Sequence, residues 1–340
     1  MTATSGSGGR RASRRITALC VLAALLLVAC SDSDDVVDDA AETTASSGVD
    51  VGLFFDGAIV GDPTTEACTL SDGAETMCLR ITVAGDPVTY DAGPFCPSTI
   101  TDTAEAGGLW LDGEDVYDLD GAFIEGLAEL YGDDNWQMFD EDGNVFVTET
   151  AEEFDLAARP DVDESVQNHC VEGRVEWLEG GEPVASTVLI PVEPVLAEAP
   201  GTTGGDLGIT LDGVLIAPSA PVEAILSAYT IAAFDDCGGH YNPVDGYHLH
   251  GAVGCSELDG DADDGAPSMF AYAMDGVPVH SPDPDATDLD ECGGHVSDED
   301  GYHYHANPAE QNLVIECLIG QTVSDGTDGG APQGPPAGNG

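Results

Sequence analysis

The sequence has no lysine and very few cations of any kind. Its basic residues are seven arginines, against 65 acidic residues in a chain of 340. Four arginines lie before residue 16, where there is no acidic residue, so the rest of the chain has three arginines against 65 acids, a formal charge of −62. Such a charge repels nucleic acid and anionic headgroups, and we exclude both as partners. Such an acidic surface is typical of proteins that stay solvated in a saline habitat, where salt screens the repulsion between the acids. It would also concentrate cations near the surface.

The apolar run at residues 16–29 is too short to cross a membrane, which takes about 20 residues. It follows the four arginines and ends in Leu-Val-Ala before Cys30, the pattern of a secretory signal. The sequence Leu-Val-Ala-Cys at 27–30 resembles the lipobox of bacterial lipoproteins, in which the cysteine is acylated and becomes the new amino terminus. The resemblance implies a signal peptide over residues 1–29 and a lipid anchor at Cys30. We therefore expect the protein in the cell envelope, attached to the membrane and exposed outside the cytoplasm.

Sequence fingerprints of common enzymes are also missing. The chain has no Gly-x-Ser-x-Gly elbow, no phosphate-binding loop and no dinucleotide fingerprint. Acidic residues are so abundant that no pair stands out as an acid and base couple. Whether the chain is an enzyme is left open by these patterns.

One histidine-rich signature is present twice. Cys-Gly-Gly-His at 237–240 is followed by Gly-Tyr-His-Leu-His at 246–250, and the pattern returns at 292–295 and 301–305, displaced by 55 residues (292 minus 237). Alternate residues of a strand face the same side, so each His-x-His presents two imidazoles together, and the Gly-Gly pair permits a turn that brings in a third. These segments hold six of the eight histidines. The other two, His169 and His280, lack such a spacing and are interpreted as structural.

Three imidazoles at one point predict a transition-metal site. Zinc and copper both accept neutral imidazole, and three such ligands leave one tetrahedral position open. The predicted ligands are His240, His248, His250, His295, His303 and His305. We expect two sites because each copy has a full set; the alternative is one shared cluster. Asp236 and Glu291 are expected to orient the rings, whereas Tyr247, Tyr302 and Tyr304 fall on the opposite strand face and are expected in the core.

Cysteine usage agrees with export. Apart from Cys20 and Cys30 the chain has eight cysteines, an even number that predicts disulfides in an oxidising compartment. The duplication suggests one bridge within each copy, which leaves an economical pairing for the rest. The predicted bridges are Cys237 with Cys255, Cys292 with Cys317, Cys68 with Cys78, and Cys96 with Cys170. The alternative makes the Cys-x-x-His pairs at 237–240 and 292–295 zinc ligands.

Short apolar runs broken by Gly, Asp and Pro predict a mainly β fold. We expect an acidic disordered tether at 30–50, an N-terminal β-rich domain with one short helix at 51–199, a second β-rich domain at 206–320, and a disordered tail at 321–340. The one helical period covers 122–131. In the second domain a hairpin precedes each histidine segment, so we expect two pseudo-repeated hairpin-plus-loop units, each clasped by a disulfide.

The second copy resembles the YHYH domain of secreted bacterial proteins. The resemblance rests on Asp-Gly-Val-Pro-Val at 275–279, Leu-Asp-Glu-Cys-Gly-Gly-His at 289–295 and Gly-Tyr-His-Tyr-His at 301–305. The first copy departs from it, with Leu249 in place of the second tyrosine. The resemblance covers about residues 206–320 and implies an exported domain suspected of binding metal, with no established reaction.

These observations favour an envelope lipoprotein that binds copper or zinc through its duplicated motif. A metalloenzyme, either a zinc hydrolase or a copper oxidoreductase, is the first alternative. A structural or adhesive surface module without metal is the second. The metal ion and, through Cys30, the membrane are the expected partners. The sequence does not predict whether there is a protein partner.

Overall fold

Short strands joined by tight turns make up most of the structure, as the content of Gly and Pro predicts. The computed structural model describes residues 48–159, 161–201, 205–253, 268–298 and 300–324. The predicted signal peptide, Cys30, Cys255 and most of the predicted tail lie outside these residues. Within the described ranges, no helix combines the length and apolar character needed to cross a membrane.

The fold is mainly β. In the first half the described strands are β1 (Thr64–Thr69), β2 (Glu75–Val83), β3 (Leu109–Leu111), β4 (Val116–Asp118), β5 (Cys170–Val171), β6 (Ser186–Pro191) and β7 (Leu196–Gly201). In the second half they are β8 (Gly208–Thr210), β9 (Leu215–Ile216), β10 (Ile231–Ala232), β11 (Gly239–Asn242), β12 (Gly246–Leu249), β13 (Met269–Ala273), β14 (Pro278–His280), β15 (Gly294–Ser297), β16 (Gly301–His305) and β17 (Leu318–Gly320).

Three short α-helices accompany the strands in the described residues. Helix α1 (Gly121–Leu130) is the predicted one, and it buries Ile124 and Leu127. Helix α2 (Ala151–Ala157) makes the expectation of a single helix in the first region wrong, and helix α3 (Val222–Ser227) lies in the second region. Thr150 is the N-cap of α2, because its hydroxyl accepts a hydrogen bond from the backbone N–H of Glu153.

Eight strands of the second half form one sheet whose order is pseudo-symmetric. The order is β11, β12, β9, β8, β13, β14, β16, β15, so the two halves mirror each other from the centre outwards. The central strands β8 and β13 are antiparallel, while β9 with β12 and β14 with β16 are parallel. The expected pair of hairpin-plus-loop units is confirmed, and each histidine hairpin forms one edge of the sheet.

The two predicted β-rich regions fold together. Ile81 and Ile190 share one buried cluster with Ile209 and Tyr272, and the described residues belong to one compact unit. The boundary expected between residues 199 and 206 contains the end of β7, and this strand pairs with β17.

The fold extends a few residues into both of the segments predicted to be disordered. The backbone N–H of Val49 donates to the carbonyl of Val192, so the tether region is ordered by that point. At the other end Val323 forms a β-bridge with Leu70. Residues 48–50 and 321–324 are therefore part of the fold.

Three of the predicted disulfides are present in the structure. They join Cys68 to Cys78, Cys96 to Cys170, and Cys292 to Cys317. Cys237 is also disulfide-bonded, and its predicted partner Cys255 lies outside the described residues. Because Cys237 and Cys292 are oxidised, the alternative in which they are zinc ligands is wrong. These bridges indicate an oxidising compartment outside the cytoplasm.

Candidate metal centres

Each histidine motif folds into a β-hairpin that brings three imidazoles together. In one hairpin His240 on β11 lies opposite His248 on β12, and in the other His295 on β15 lies opposite His303 on β16. The last histidine of each motif, two residues further along, faces the same side. We call His240, His248 and His250 the first centre, and His295, His303 and His305 the second centre; each group has ligand atoms within 4.8 Å of one another.

The ring nitrogens of the second centre form a nearly equilateral triangle. The Nε2 atoms of His295 and His303 are 3.1 Å apart, and each lies 3.2 Å from Nε2 of His305. In the first centre the Nε2 atoms of His240 and His248 are also 3.1 Å apart. Three nitrogens bound tetrahedrally to zinc at 2.0–2.1 Å would be about 3.3 Å apart. The second cluster therefore has almost the spacing of a metal's ligand set, and the first matches it for the pair His240 and His248.

Contacts at the far side of each ring determine which nitrogen carries the proton. Nδ1 of His303 and Nδ1 of His305 each lie 3.1 Å from a backbone carbonyl, and Nδ1 of His295 lies 3.0 Å from a carboxylate oxygen of Asp288. These oxygens can only accept, so each Nδ1 is the N–H donor and each Nε2 carries a lone pair. Three lone pairs then converge on one point, an arrangement that a bound cation stabilises.

The first centre repeats this arrangement for two of its rings. Nδ1 of His248 lies 3.0 Å from the carbonyl of Gly246, and Nδ1 of His250 lies 2.6 Å from the carbonyl of Pro218. Carbonyls in this role fix the tautomer and the ring orientation of metal-bound histidines. Asp236 and Glu291, expected from sequence to do so, do not supply these contacts.

The preceding residues, Asp235 and Asp290, stabilise the turn that leads to the first histidine of each motif. Asp290 accepts hydrogen bonds from the backbone N–H groups of Cys292 and Gly294, at 2.9 and 3.0 Å, and from the hydroxyl of Tyr302 at 2.6 Å. Asp235 makes the corresponding three contacts in the first copy. The buried tyrosine thus has the core position predicted for it, with its hydroxyl holding the turn that presents the third imidazole.

The Gly-Gly pair of each motif is required by this turn. Gly293 has a φ of 78°, and Gly238 has a φ of 81°, a region that residues with a side chain rarely adopt. At the next position a Cβ on Gly294 would lie 2.1 Å from the hydroxyl oxygen of Tyr302, and one on Gly239 would lie 2.2 Å from that of Tyr247. Only glycine allows the backbone to pass so close to the tyrosine.

Burial keeps three of the clustered imidazoles neutral. It lowers the pKa of His303 to about 4, and it lowers the pKa values of His240 and His250 well below the ordinary range, with the neighbouring imidazoles adding to the effect. Neutral imidazole is the form that binds metal. The rings of His240, His250 and His303 are therefore in their ligating form near neutral pH.

The surroundings of the two centres differ. The three rings of the first centre line a cavity of about 360 Å³. Beside the second centre His280 and Asp300 form a further potential ligand group with His303, and the rings of His280 and His303 have centroids 4.4 Å apart. The interpretation of His280 as a structural residue missed this contact, because nothing in the repeated spacing marks it. His169 lies apart from both centres, against Phe146.

Comparison with protein-family models, with curated proteins and with solved structures finds no match.

Proposed function

We propose that the protein is an envelope-anchored lipoprotein that binds two transition-metal ions, copper or zinc, one at each three-histidine centre. The observation that carries the proposal is the convergence of the Nε2 lone pairs of His295, His303 and His305, each with its Nδ1 proton committed elsewhere. Without a cation, such an arrangement buries unsatisfied acceptors against one another, which costs free energy. The resemblance of residues 206–320 to the YHYH domain agrees with this role.

The metal is proposed as copper or zinc from the donor set. All three ligands of each centre are imidazole nitrogens, which suit both ions, whereas calcium and magnesium prefer oxygen. The strongly acidic chain favours the approach of any divalent cation. Attachment to the membrane is proposed to occur through acylated Cys30, on the strength of the lipobox alone.

Metal content measures the proposal directly. The full chain, purified in detergent without a polyhistidine tag, is exposed to zinc or copper and dialysed, and bound metal is counted. We expect two ions per chain, and about one in His303→Ala. Tyr304→Phe is the matched control, because this tyrosine lies on the strand between two ligands but faces the other side. Protein that retains neither ion would favour the structural module without metal.

A further inference from the structure

The two centres diverge at one corresponding position of the repeated hairpin. In the first copy Leu249 on β12 is paired with Ile216 on β9, and in the second Tyr304 on β16 is paired with Val279 on β14. The next residue along is Ala217 in the first copy and His280 in the second. A methyl group therefore occupies the position at the first centre where the second centre has an imidazole.

At the second centre that imidazole lies directly against the ligand set. Its ring centroid is 4.4 Å from that of His303 and 5.9 Å from that of His305. Asp300 is near enough to share a cation with His280 and His303. The protein's own side chains thus occupy the approach to this centre from the side of His280.

At the first centre the same side opens into the cavity of about 360 Å³. Ala217 lines the cavity together with all three ligand rings. The volume lies in the range of small-molecule sites, roughly 300–1,000 Å³. A metal held by three histidines keeps one coordination position free, so a ligand in this cavity has access to the metal.

A segment found only in the first copy builds part of the cavity wall. The hairpins of the two copies are offset by 63 residues (279 minus 216), but the histidine motifs are offset by 55, so the first copy has eight additional residues between them. Helix α3 lies in this connection, and Pro221, Ala224 and Ile225 face the cavity. The added segment thus covers the centre that Ala217 leaves open.

The lining indicates an uncharged ligand. Most of the wall is methyl and methylene surface, which favours an apolar body. The acidic side chains that line it are Asp206 and Asp245, which disfavour an anion, and burial raises the pKa of Asp206 to about 7. Arg159, the one arginine or lysine among the described lining residues, is paired with Asp161 and Asp163, with both N–O distances at 3.7 Å.

We propose that the metal of the first centre binds a small uncharged molecule with an apolar body and one nitrogen or oxygen donor, and that His280 prevents this at the second centre. The inference rests on the proposed function, since it requires a metal at each site. It divides the duplicated motif into a centre that receives an external ligand and a centre closed by the protein's own side chains.

The test uses cobalt(II) as a spectroscopic metal and 4-methylpyridine as the probe. Two single-centre forms of the full chain are prepared, His303→Ala/His305→Ala and His248→Ala/His250→Ala, and cobalt binding is measured first. The probe is then titrated while the visible bands of cobalt, which respond to a fourth ligand, are recorded. Isonicotinate, which adds a carboxylate to the same ring, is the matched charged probe.

We expect saturable binding of 4-methylpyridine at the first centre, at least about 10-fold tighter than at the second, and at least about 10-fold tighter than isonicotinate. Ala217→His should weaken the probe at the first centre by a similar factor without loss of cobalt, and Ala217→Val is a smaller obstruction in case the larger one unfolds the site. His280→Ala should create probe binding at the second centre.

Different results would overturn the proposed function and the difference between the two centres. Absence of cobalt from both single-centre forms would overturn the proposed function. Cobalt binding with equal probe affinity at the two centres, with tighter binding of isonicotinate, or with no effect of either Ala217 substitution would overturn the inference alone.

Discussion

Tyr304 donates a hydrogen bond of 2.7 Å to Asp275, a carboxylate that is completely buried. The contact joins the strand that carries the second centre to the turn of the adjacent hairpin. In the first copy Leu249 replaces this tyrosine, and the corresponding carboxylate, Asp212, accepts hydrogen bonds from two threonine hydroxyls instead. The absence of this tyrosine from the first copy is therefore compensated by Thr210 of the same hairpin and by Thr89 from the first half of the chain.

Tyr304→Phe should lower the free energy of unfolding by about 1–3 kcal/mol, because it leaves a buried carboxylate with one donor fewer. Metal affinity at the second centre should be unchanged, since the ring faces away from the ligands. Urea unfolding of the metal-free chain measures the first effect. Tyr117→Phe is the control, because its hydroxyl makes an exposed contact of 3.4 Å with Asp115 and no contact with a buried carboxylate is described for it. A variant that loses metal but keeps its stability would contradict the assigned role.

Gly294→Ala should disable the second centre alone. The added methyl group would collide with the hydroxyl of Tyr302, so the turn must move and His295 with it. We expect a loss of stability of roughly 2 kcal/mol and one metal ion fewer per chain. Gly126→Ala is the matched control, because a Cβ there meets no neighbouring atom and alanine favours the helix. Full metal content in Gly294→Ala would show that the tight turn is not needed.

The pH response should differ from that of exposed histidines. The pKa of an ordinary imidazole is about 6.5, and burial lowers that of His303 to about 4. The unfolded chain therefore binds this proton first, so the contribution of His303 to stability is complete above about pH 6.5 and is lost as the pH falls towards 4.

Buried carboxylates change the stability with pH in the opposite direction. Burial raises the pKa of Asp206 to about 7 and that of Asp235 to about 6, so these groups favour the folded state as the pH falls. The measurement must therefore be a difference. The stability of the metal-free chain minus that of His303→Asn should decrease by about 2 kcal/mol between pH 7 and pH 4.5. If this difference in stability does not change between pH 7 and pH 4.5, the imidazole of His303 is exposed to water and its pKa is not lowered.

The sequence predicted the parts of the site that depend on local spacing. The period of a strand places His303 and His305 on one face, and the Gly-Gly pair before His295 predicts the turn. The N-cap of α2 at Thr150 was also readable from the sequence and was missed. All of these features require only neighbouring residues.

Other parts depend on contacts that spacing does not contain. The approach of His280 to His303 follows from the register between β14 and β16, and the cavity beside Ala217 follows from the path of α3. Asp288, which orients His295, lies seven residues before it in an irregular segment. Such contacts are set by how distant strands pair, so no local pattern indicates them.

Cys30→Ala should release the protein from membranes, because an acyl chain supplies the only strong membrane affinity expected of so acidic a chain. Fractionation of cells that express each form measures this. Retention of the variant in the membrane fraction at the level of the unaltered chain would contradict the lipid anchor.

Isothermal titration of the full chain with zinc tests the central claim, that two independent three-histidine centres bind metal. The unaltered chain should bind two ions. His248→Ala/His250→Ala should bind one, with the affinity of the remaining centre unchanged, because the two histidine hairpins form opposite edges of the eight-stranded sheet. Loss of all binding in this double variant would contradict the account and show that the six histidines act as one site.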